Sequence, residues 1–320
     1  MAVNLKYYRK LKSLMGREVY TLSAFAIKLI AVFTMLIDHA AYILWLCGRL
    51  GGSAYVFLRS VGRISFVLFA FLLVNGMEKT SNPRRYFSRL VLFAVISQVP
   101  FSIAFSSENY AAGAVTAAGF LVSFHPAWTA ALLSGGIWLI YFGCACRWKP
   151  DWSLLALASA LVLPHLRVSV GGCTVLGSDL SIFYTLAVSM ALCLCADGLH
   201  RALSERRGIA RALLLLAAAV AAVIVIQPAA DYGLYGLALI AALFIARKSR
   251  WAQCAVTVLW CIAEYYFKLH SFVYALYAML AVFPVLMYSG ERGRKMGMGF
   301  YLVYPVHLCI FSLLGFALSR

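Results

Sequence analysis

The sequence predicts an all-α, polytopic integral membrane protein, because its composition and the arrangement of its apolar residues are typical of chains that cross a bilayer. Of its 320 residues, 64% are hydrophobic and 12% are charged, whereas soluble domains carry about 25% charged residues. The apolar residues lie in long blocks, and residues 22–47, for example, contain two charged residues and one histidine. At about 1.5 Å per residue, such a block crosses a hydrocarbon core of roughly 30 Å.

We predict about eleven (10–11) transmembrane helices in a single domain, residues 1–320, of which residues 1–20 form a basic cytoplasmic segment. The first apolar block is too long for a cleavable signal peptide and is followed by others, so we expect it to be retained. The predicted helices lie near residues 21–47, 55–76, 86–105, 127–146, 151–166, 175–196, 211–228, 233–247, 251–267, 271–289 and 298–318.

The basic residues support this arrangement of helices. With the N-terminus placed in the cytoplasm, the inside loops hold 21 of the 28 Lys and Arg residues, and the outside segments hold only Arg49, Arg59, Arg167, Lys268 and Arg320. Cytoplasmic loops of membrane proteins carry such an excess of positive charge. The net charge of +17 therefore reflects topology, and we expect no nucleic-acid partner. Most of the nine cysteines lie in apolar runs without zinc-site spacing, so we expect no metal.

Ionisable residues inside the first predicted helix are candidates for function, because a charge within the bilayer is costly. This helix contains Lys28, Asp38 and His39. Eleven residues separate Lys28 from His39, which places both on one helix face, roughly 16 Å apart along the axis. Asp38 is offset from that face. At matching depth in the second helix lies Arg63, and we predict an Asp38–Arg63 ion pair.

Structural alternatives remain for each of these residues. Lys28 can extend to the membrane interface, the Asp38–Arg63 pair can serve packing alone, and His39 can be an interhelical hydrogen-bonding residue. Histidine is nevertheless the side chain best suited to move protons near neutral pH.

The last predicted helix carries a second histidine, His307, on a broad face with Tyr301 and Tyr304. We consider His307 either a second proton carrier or a packing residue. The DYGLYG sequence that begins at Asp231 indicates a tight outer turn, in which Asp231 is a candidate cap for the following helix.

Two segments of the N-terminal half resemble the TraX family, whose namesake N-acetylates conjugative pilin. These segments are KLIAVFTMLIDH and VGRISFVLFAFLLVNGMEKTSNPRRYFSRLVLFAVISQVPF. The DYGLYG turn and the closing FYLVYPVHL are also similar to motifs of that family. The resemblance implies a bacterial inner-membrane protein with acetyltransferase activity. One position departs from the expected pattern, because Gln98 stands where we expect an acid. If the acid is catalytic in relatives, the chemistry is altered here; otherwise the position is structural.

A looser similarity links Lys28-x10-His39 to the Arg/Lys-x10-His pattern of family-three integral-membrane acyltransferases. It implies that His39 is the catalytic base and Lys28 a supporting cation. In that scheme Asp38, Arg63 and His307 complete the catalytic group, with Arg63 or a tyrosine near His307 stabilising the oxyanion. Acetyl-CoA is the expected co-substrate, and the residues expected to bind it are Lys28, Lys79, Arg84, Arg85, Tyr301 and Tyr304.

The acceptor is not encoded in any motif, so a pilin-like or other peptide, a glycan and a lipid all remain possible, as do amine and hydroxyl groups. Two other classes of protein also fit the composition. A transporter or flippase would carry buried charges as well, although no internal repeat or paired broken helices support it. A non-catalytic assembly protein would retain its function without His39.

Overall fold

The computed structural model describes residues 21–110, 120–124, 166–177, 179–226 and 230–319. Within these residues the chain is mostly helical, and most helices begin or end near the predicted position. The helices are α1 (Ala24–Leu46), α2 (Gly52–Lys79), α3 (Pro83–Phe105), α4 (Ile182–Glu205), α5 (Ile209–Ile226), α6 (Gly233–Ile245), α7 (Arg250–Cys261), α8 (Phe272–Met279), α9 (Val282–Leu286) and α10 (Gly299–Leu318).

Five of the described helices, α1 to α4 and α10, are long and apolar enough to cross a membrane. The helices that match the predicted spans between residues 211 and 289 are shorter or interrupted: α7 continues as the π-helix Ile262–Lys268, and α8 and α9 are separated by two residues. The predicted spans near 127–146 and 151–166 lie outside the described residues, so the total of about eleven stays a prediction.

A small sheet departs from the all-α prediction. Strands β1 (Phe120–Phe124), β2 (Leu166–Val170) and β3 (Cys173–Leu176) pair antiparallel in the order β1-β2-β3. The predicted helix at 175–196 therefore begins later, at Ile182, because its first residues belong to a strand and a loop. The sheet joins the end of α3 through an ion pair of Arg167 with Glu108, which holds the pKa of Glu108 below its ordinary value.

Helix α2 lies at the centre of the bundle, where it contacts α1, α4, α6, α8 and α9. Its middle turns are buried on nearly all sides, because residues 65–68 and 70–75 are all enclosed. Helix α10 closes the bundle against α1 and α3. Large apolar side chains point outward from the bundle, among them Ile245 and Leu313, as expected for helices in contact with lipid.

Loops that were predicted to lie on the same side of the membrane contact one another. Lys79, after α2, donates a hydrogen bond to Tyr288, beyond α9 (Nζ to Oη, 2.8 Å). Arg247, after α6, forms ion pairs with Glu78 at 3.6 Å and with Asp197 at 3.1 Å. These contacts bring loops that the sequence assigns to the inside group together at one end of the bundle.

Candidate functional site

Two adjacent cavities occupy the bundle interior between α1, α2, α4 and α10. The inner cavity has a volume of about 730 Å³ and opens near the basic loops. The outer cavity has a volume of about 370 Å³ and contains the side chain of His39. Both volumes fall in or near the range of small-molecule binding sites. Four residues line both cavities, and we call them the junction: Met35, Phe69, Ile182 and Tyr304.

The inner cavity is strongly cationic. The basic side chains that line it are Lys28, Lys79, Arg85, Arg89 and Arg292, and within the described part of the chain its lining includes neither Asp nor Glu. The cavity wall also contains the start of α3, where the Asn82 side chain accepts a hydrogen bond from the Arg85 backbone N–H at 2.9 Å. Cationic side chains beside a helix N-terminus attract anions such as phosphates. A polyanionic ligand is therefore electrostatically favoured here.

A segment between α9 and α10 covers part of this cavity. The Lys79 ammonium donates to the Gly290 carbonyl as well as to Tyr288. Backbone hydrogen bonds tie the segment to the start of α1; among them, Ala24 N–H donates to Glu291 at 2.8 Å, and Ser289 N–H donates to Leu22 at 2.9 Å. Gly293 has φ +66°, and a side chain there would collide with Ser23. Lys79 is thus engaged in hydrogen bonds within the protein.

One face of α1 runs from the inner to the outer cavity. Lys28, Val32, Met35 and His39 follow one another at intervals of four, three and four residues, which keeps them on one side of a helix. The first three line the inner cavity, and Met35 and His39 line the outer one. The Lys28 ammonium lies 4.8 Å from the centre of the Phe300 ring. The face predicted from Lys28-x10-His39 is therefore a continuous path along the cavity wall.

Asp38 lies at the wall of the outer cavity between two arginines of α2. Arg63 Nη2 lies 3.6 Å from Asp38 Oδ1, which confirms the predicted proximity, and Arg59 donates a shorter hydrogen bond to the other oxygen. Arg59, which the charge count assigns to the outside segments, lies within α2. The three side chains are largely buried, so each charge depends on the others.

His39 and His307 form a direct pair across the α1–α10 interface. Their rings stack at 5.0 Å, and His39 Nδ1 lies 2.7 Å from His307 Nε2. The rings of Phe105 and Tyr304 approach His39 edge-on at 4.9 and 6.0 Å. The second nitrogen of His307, Nδ1, lies 2.8 Å from the Val303 carbonyl oxygen.

This arrangement determines which nitrogens carry protons when both rings are neutral. A carbonyl oxygen can only accept, so His307 Nδ1 must donate to Val303. His307 Nε2 is then an acceptor, and His39 Nδ1 must donate to it. Nε2 of His39 is left with a free lone pair on a ring that lines the outer cavity. The backbone of α10 thus presets His39 as a proton acceptor.

Gln98 lines neither cavity and holds the loop that enters α4. It is 1% exposed. Its amide nitrogen donates to the Asp179 carbonyl at 2.6 Å, and its amide oxygen accepts from the Ser181 backbone N–H at 3.1 Å. A carboxylate could not donate to Asp179. This geometry favours the structural alternative for the position.

We expect Gln98→Glu to destabilise the protein by roughly 2–3 kcal/mol, because it places a carboxylate at a buried position and leaves the Asp179 carbonyl without its donor. Gln253→Glu is the matched control: Gln253 is also 1% exposed, its amide nitrogen has no partner in the described residues, and its oxygen accepts from Arg250. Thermal unfolding in detergent measures both. Equal losses of stability would contradict this role for Gln98.

The turn before α6 also differs from expectation. Asp231 does not cap α6, because Tyr232 is the N-cap residue, with φ 62° and no side-chain capping bond. Asp231 instead lines the outer cavity together with Asp179. The two loops are joined by a bridge between Leu180 and Ala230. The outer cavity therefore contains both signs of charge.

The structure brings most of the predicted residues to these two cavities. The predicted catalytic residues Asp38, His39 and Arg63 line the outer cavity, and His307 contacts it through His39. The predicted ligand-binding residues at the inner cavity are Lys28, Lys79, Arg85, Tyr301 and Tyr304. Arg84 does not line either cavity.

Sequence reasoning did not select three residues of these sites. Arg59 has the i, i+4 spacing to Arg63 that would have indicated a shared face. Tyr86, on α3, and Arg292, in the segment before α10, line the inner cavity. In the sequence alone they resemble an ordinary packing residue and an ordinary topology-determining residue. Only the packing of α3 and α10 reveals their position.

These features define a polytopic helical membrane protein with a cationic cavity joined to a histidine pair. The family model described as TraX protein matches residues 23–116 and 173–315. The chain belongs to the TraX family.

A curated relative is similar over a shorter stretch. The chain is 43% identical over 79 residues to "Probable fimbrial assembly protein FimC, serogroup H1" of Dichelobacter nodosus, a match that covers 25% of this chain and 31% of that protein. The chain therefore matches about a third of the length of that relative. No solved structure has significant similarity to the chain.

Proposed function

We propose that the protein is a membrane acetyltransferase that moves an acetyl group from acetyl-CoA to an amine or hydroxyl of a membrane or extracytoplasmic acceptor. The observation that carries the proposal is the path from a cavity lined by five basic side chains to a histidine whose tautomer is preset as a base. In this scheme the inner cavity faces the cytoplasm of a bacterial cell, and the excess of basic residues in the adjoining loops supports that orientation.

The inner cavity suits CoA because its phosphates require cations, and the thioester arm requires a less polar passage. Lys28, Lys79, Arg85, Arg89 and Arg292 supply the cations, and Tyr301 and Tyr304 supply apolar walls. The spacing of Lys28 and His39, roughly 16 Å along the helix, is of the order of the arm's length.

The outer cavity provides the chemistry of transfer. His39 Nε2 takes the proton of the acceptor N–H or O–H as that atom attacks the thioester carbon. The negative charge that develops on the carbonyl oxygen is stabilised by Arg59, Arg63 or the Tyr304 hydroxyl, which line the same cavity. The carbon–sulfur bond then breaks, and the proton passes from His39 to the CoA thiolate. The products are the acetylated acceptor and CoA.

A fimbrial or pilin-like subunit is the acceptor class that the relative's printed name supports. A glycan or a lipid is the alternative, and the lipid bilayer surrounds the protein in either case. A purely non-catalytic assembly role is the rival function, and a transporter is a further alternative; neither explains why His39 is preset as a base.

The direct test measures CoA release by mass spectrometry from acetyl-CoA and the purified protein in detergent. The acceptor probe is an apolar peptide with a free N-terminal amine, compared with the same peptide blocked at its N-terminus. We expect Arg85→Gln to raise the KM for acetyl-CoA about tenfold with little change in kcat, because one phosphate contact is lost.

Arg84→Gln is the matched control, since Arg84 is the adjacent residue and lines neither cavity. We expect its KM to stay within about twofold of the wild-type value. Equal effects of the two substitutions would exclude the inner cavity as the CoA site. Absence of CoA release with any acceptor would contradict the enzymatic function itself.

A further inference from the structure

The junction is the only place at which the inner and outer cavities share lining residues in the described part of the chain. Its four side chains come from four helices: Met35 from α1, Phe69 from α2, Ile182 from α4 and Tyr304 from α10. A ligand whose anionic end occupies the inner cavity can reach His39 only by passing between them. The dimensions of this passage therefore limit what reaches the histidine.

Three of these side chains are held by their neighbours or by their shape. The Tyr304 ring packs edge-on against His39, His307 and Phe183, with centroids 6.0, 5.4 and 5.2 Å apart. Phe69 packs against Phe300 at 6.1 Å. Ile182 is β-branched, which restricts its rotamers.

Met35 differs from the other three because its unbranched side chain has several rotatable bonds and adapts to its surroundings. It is 5% exposed and stands one turn before His39 on the same face of α1. Among the four junction side chains, that of Met35 is thus the one that adjusts its shape most readily.

The space beyond the junction favours a small acyl group. The outer cavity measures about 370 Å³ and is lined by Asp38, Arg59, Arg63, Asp179 and Asp231. It must also hold the reacting part of the acceptor. The lining also includes aromatic side chains such as Phe101 and Phe105, but a longer acyl chain would compete with the acceptor for this volume. Any part of that chain that lies against the charged groups would displace water without forming hydrogen bonds, which is costly.

We propose that Met35 is the residue that determines acyl size, by narrowing the junction so that a short acyl group passes to His39 and a longer one does not. This inference rests on the proposed acyltransferase function. It assigns to Met35 a role in specificity and leaves the proton chemistry to His39.

The test compares kcat/KM for acetyl-CoA, butyryl-CoA and octanoyl-CoA in the wild-type protein and in Met35→Ala. We expect the wild-type value to fall with chain length. In Met35→Ala we expect the ratio of butyryl-CoA to acetyl-CoA values to rise about tenfold or more, since the removed side chain leaves room for additional methylene groups.

Met77→Ala is the matched control, because Met77 is also a buried methionine, at 6% exposure, and lines neither cavity. We expect it to keep the wild-type ratio. Met35→Phe supplies a second variant that adds volume; it should lower kcat for acetyl-CoA while the Kd of free CoA stays unchanged.

Different outcomes separate this inference from the function on which it rests. An active Met35→Ala protein with the wild-type ratio would overturn the role of Met35 and leave the acyltransferase function standing. If Met35→Ala does not fold, a Met35→Phe protein with wild-type kcat would overturn it. No CoA release from the wild-type protein with any of the three thioesters would overturn both.

Discussion

Replacing His39 with alanine is expected to lower the rate of acetyl transfer by about 10³-fold, because the proposed base is removed. The rate is measured as CoA release under saturating acetyl-CoA. His200→Ala is the control, since His200 lies on α4, is exposed and lines neither cavity. Turnover that is undiminished in His39→Ala would exclude His39 as the base.

His307 is expected to act through His39 as a positioning residue. His307→Phe removes the acceptor for His39 Nδ1, so the ring of His39 is free to rotate and to change tautomer. We expect kcat to fall by about 10²-fold with little change in the KM for acetyl-CoA. His307→Gln retains an oxygen acceptor and should recover part of the rate.

Two results distinguish this positioning role from a packing role: the KM for acetyl-CoA stays nearly unchanged, and His307→Gln recovers part of kcat. A packing defect would raise KM or lower the unfolding temperature, and glutamine, which is polar, would not correct it. Wild-type kcat in His307→Phe would show that the Val303–His307–His39 chain of hydrogen bonds does not control the base.

Replacing Gly62 with alanine is expected to prevent stable folding or to lower stability by several kcal/mol. Gly62 lies on α2 where Asp38 of α1 packs directly against the helix backbone, and a β-carbon there would overlap Asp38 Oδ1, Cβ and Cγ. Separating the helices would cost packing, and displacing Asp38 would leave Arg59 and Arg63 without their carboxylate. Each consequence alone costs about 1–5 kcal/mol.

Gly198→Ala is the matched control, because Gly198 is also within a helix and a β-carbon there meets no atom within 4 Å. We expect this change to be neutral or to stabilise the helix by about 0.5–1 kcal/mol. Thermal unfolding in detergent, together with the fraction of monodisperse protein in size-exclusion chromatography, measures both variants. Equal stability of the two would contradict the close approach of Asp38 to α2.

The amino-acid sequence alone predicts the class of protein and the helix face that runs from Lys28 to His39. Long apolar segments predict membrane helices, because a backbone N–H or C=O without a hydrogen bond costs much free energy in hydrocarbon. A helix forms these hydrogen bonds within its own segment. The helical period then places Lys28 and His39 on one face without any tertiary information. The sequence also predicts that Asp38 and Arg63 lie at the same depth in the bilayer, since two helices joined by a short loop are antiparallel neighbours.

Contacts between residues that are distant in the chain follow from the packing of the helices. The His39–His307 pair joins residues 268 positions apart, and no local pattern encodes which helix packs against α1. Arg292 is a second example: it lies in the segment before α10 and lines the inner cavity, and no local pattern predicts that position. The sheet was missed because β1 and β2 pair across a long separation in the chain, and the strands are too short to differ from helix in hydropathy. The periodicity of the sequence predicts which residues share a helix face, whereas the packing of the helices determines which other helix contacts that face.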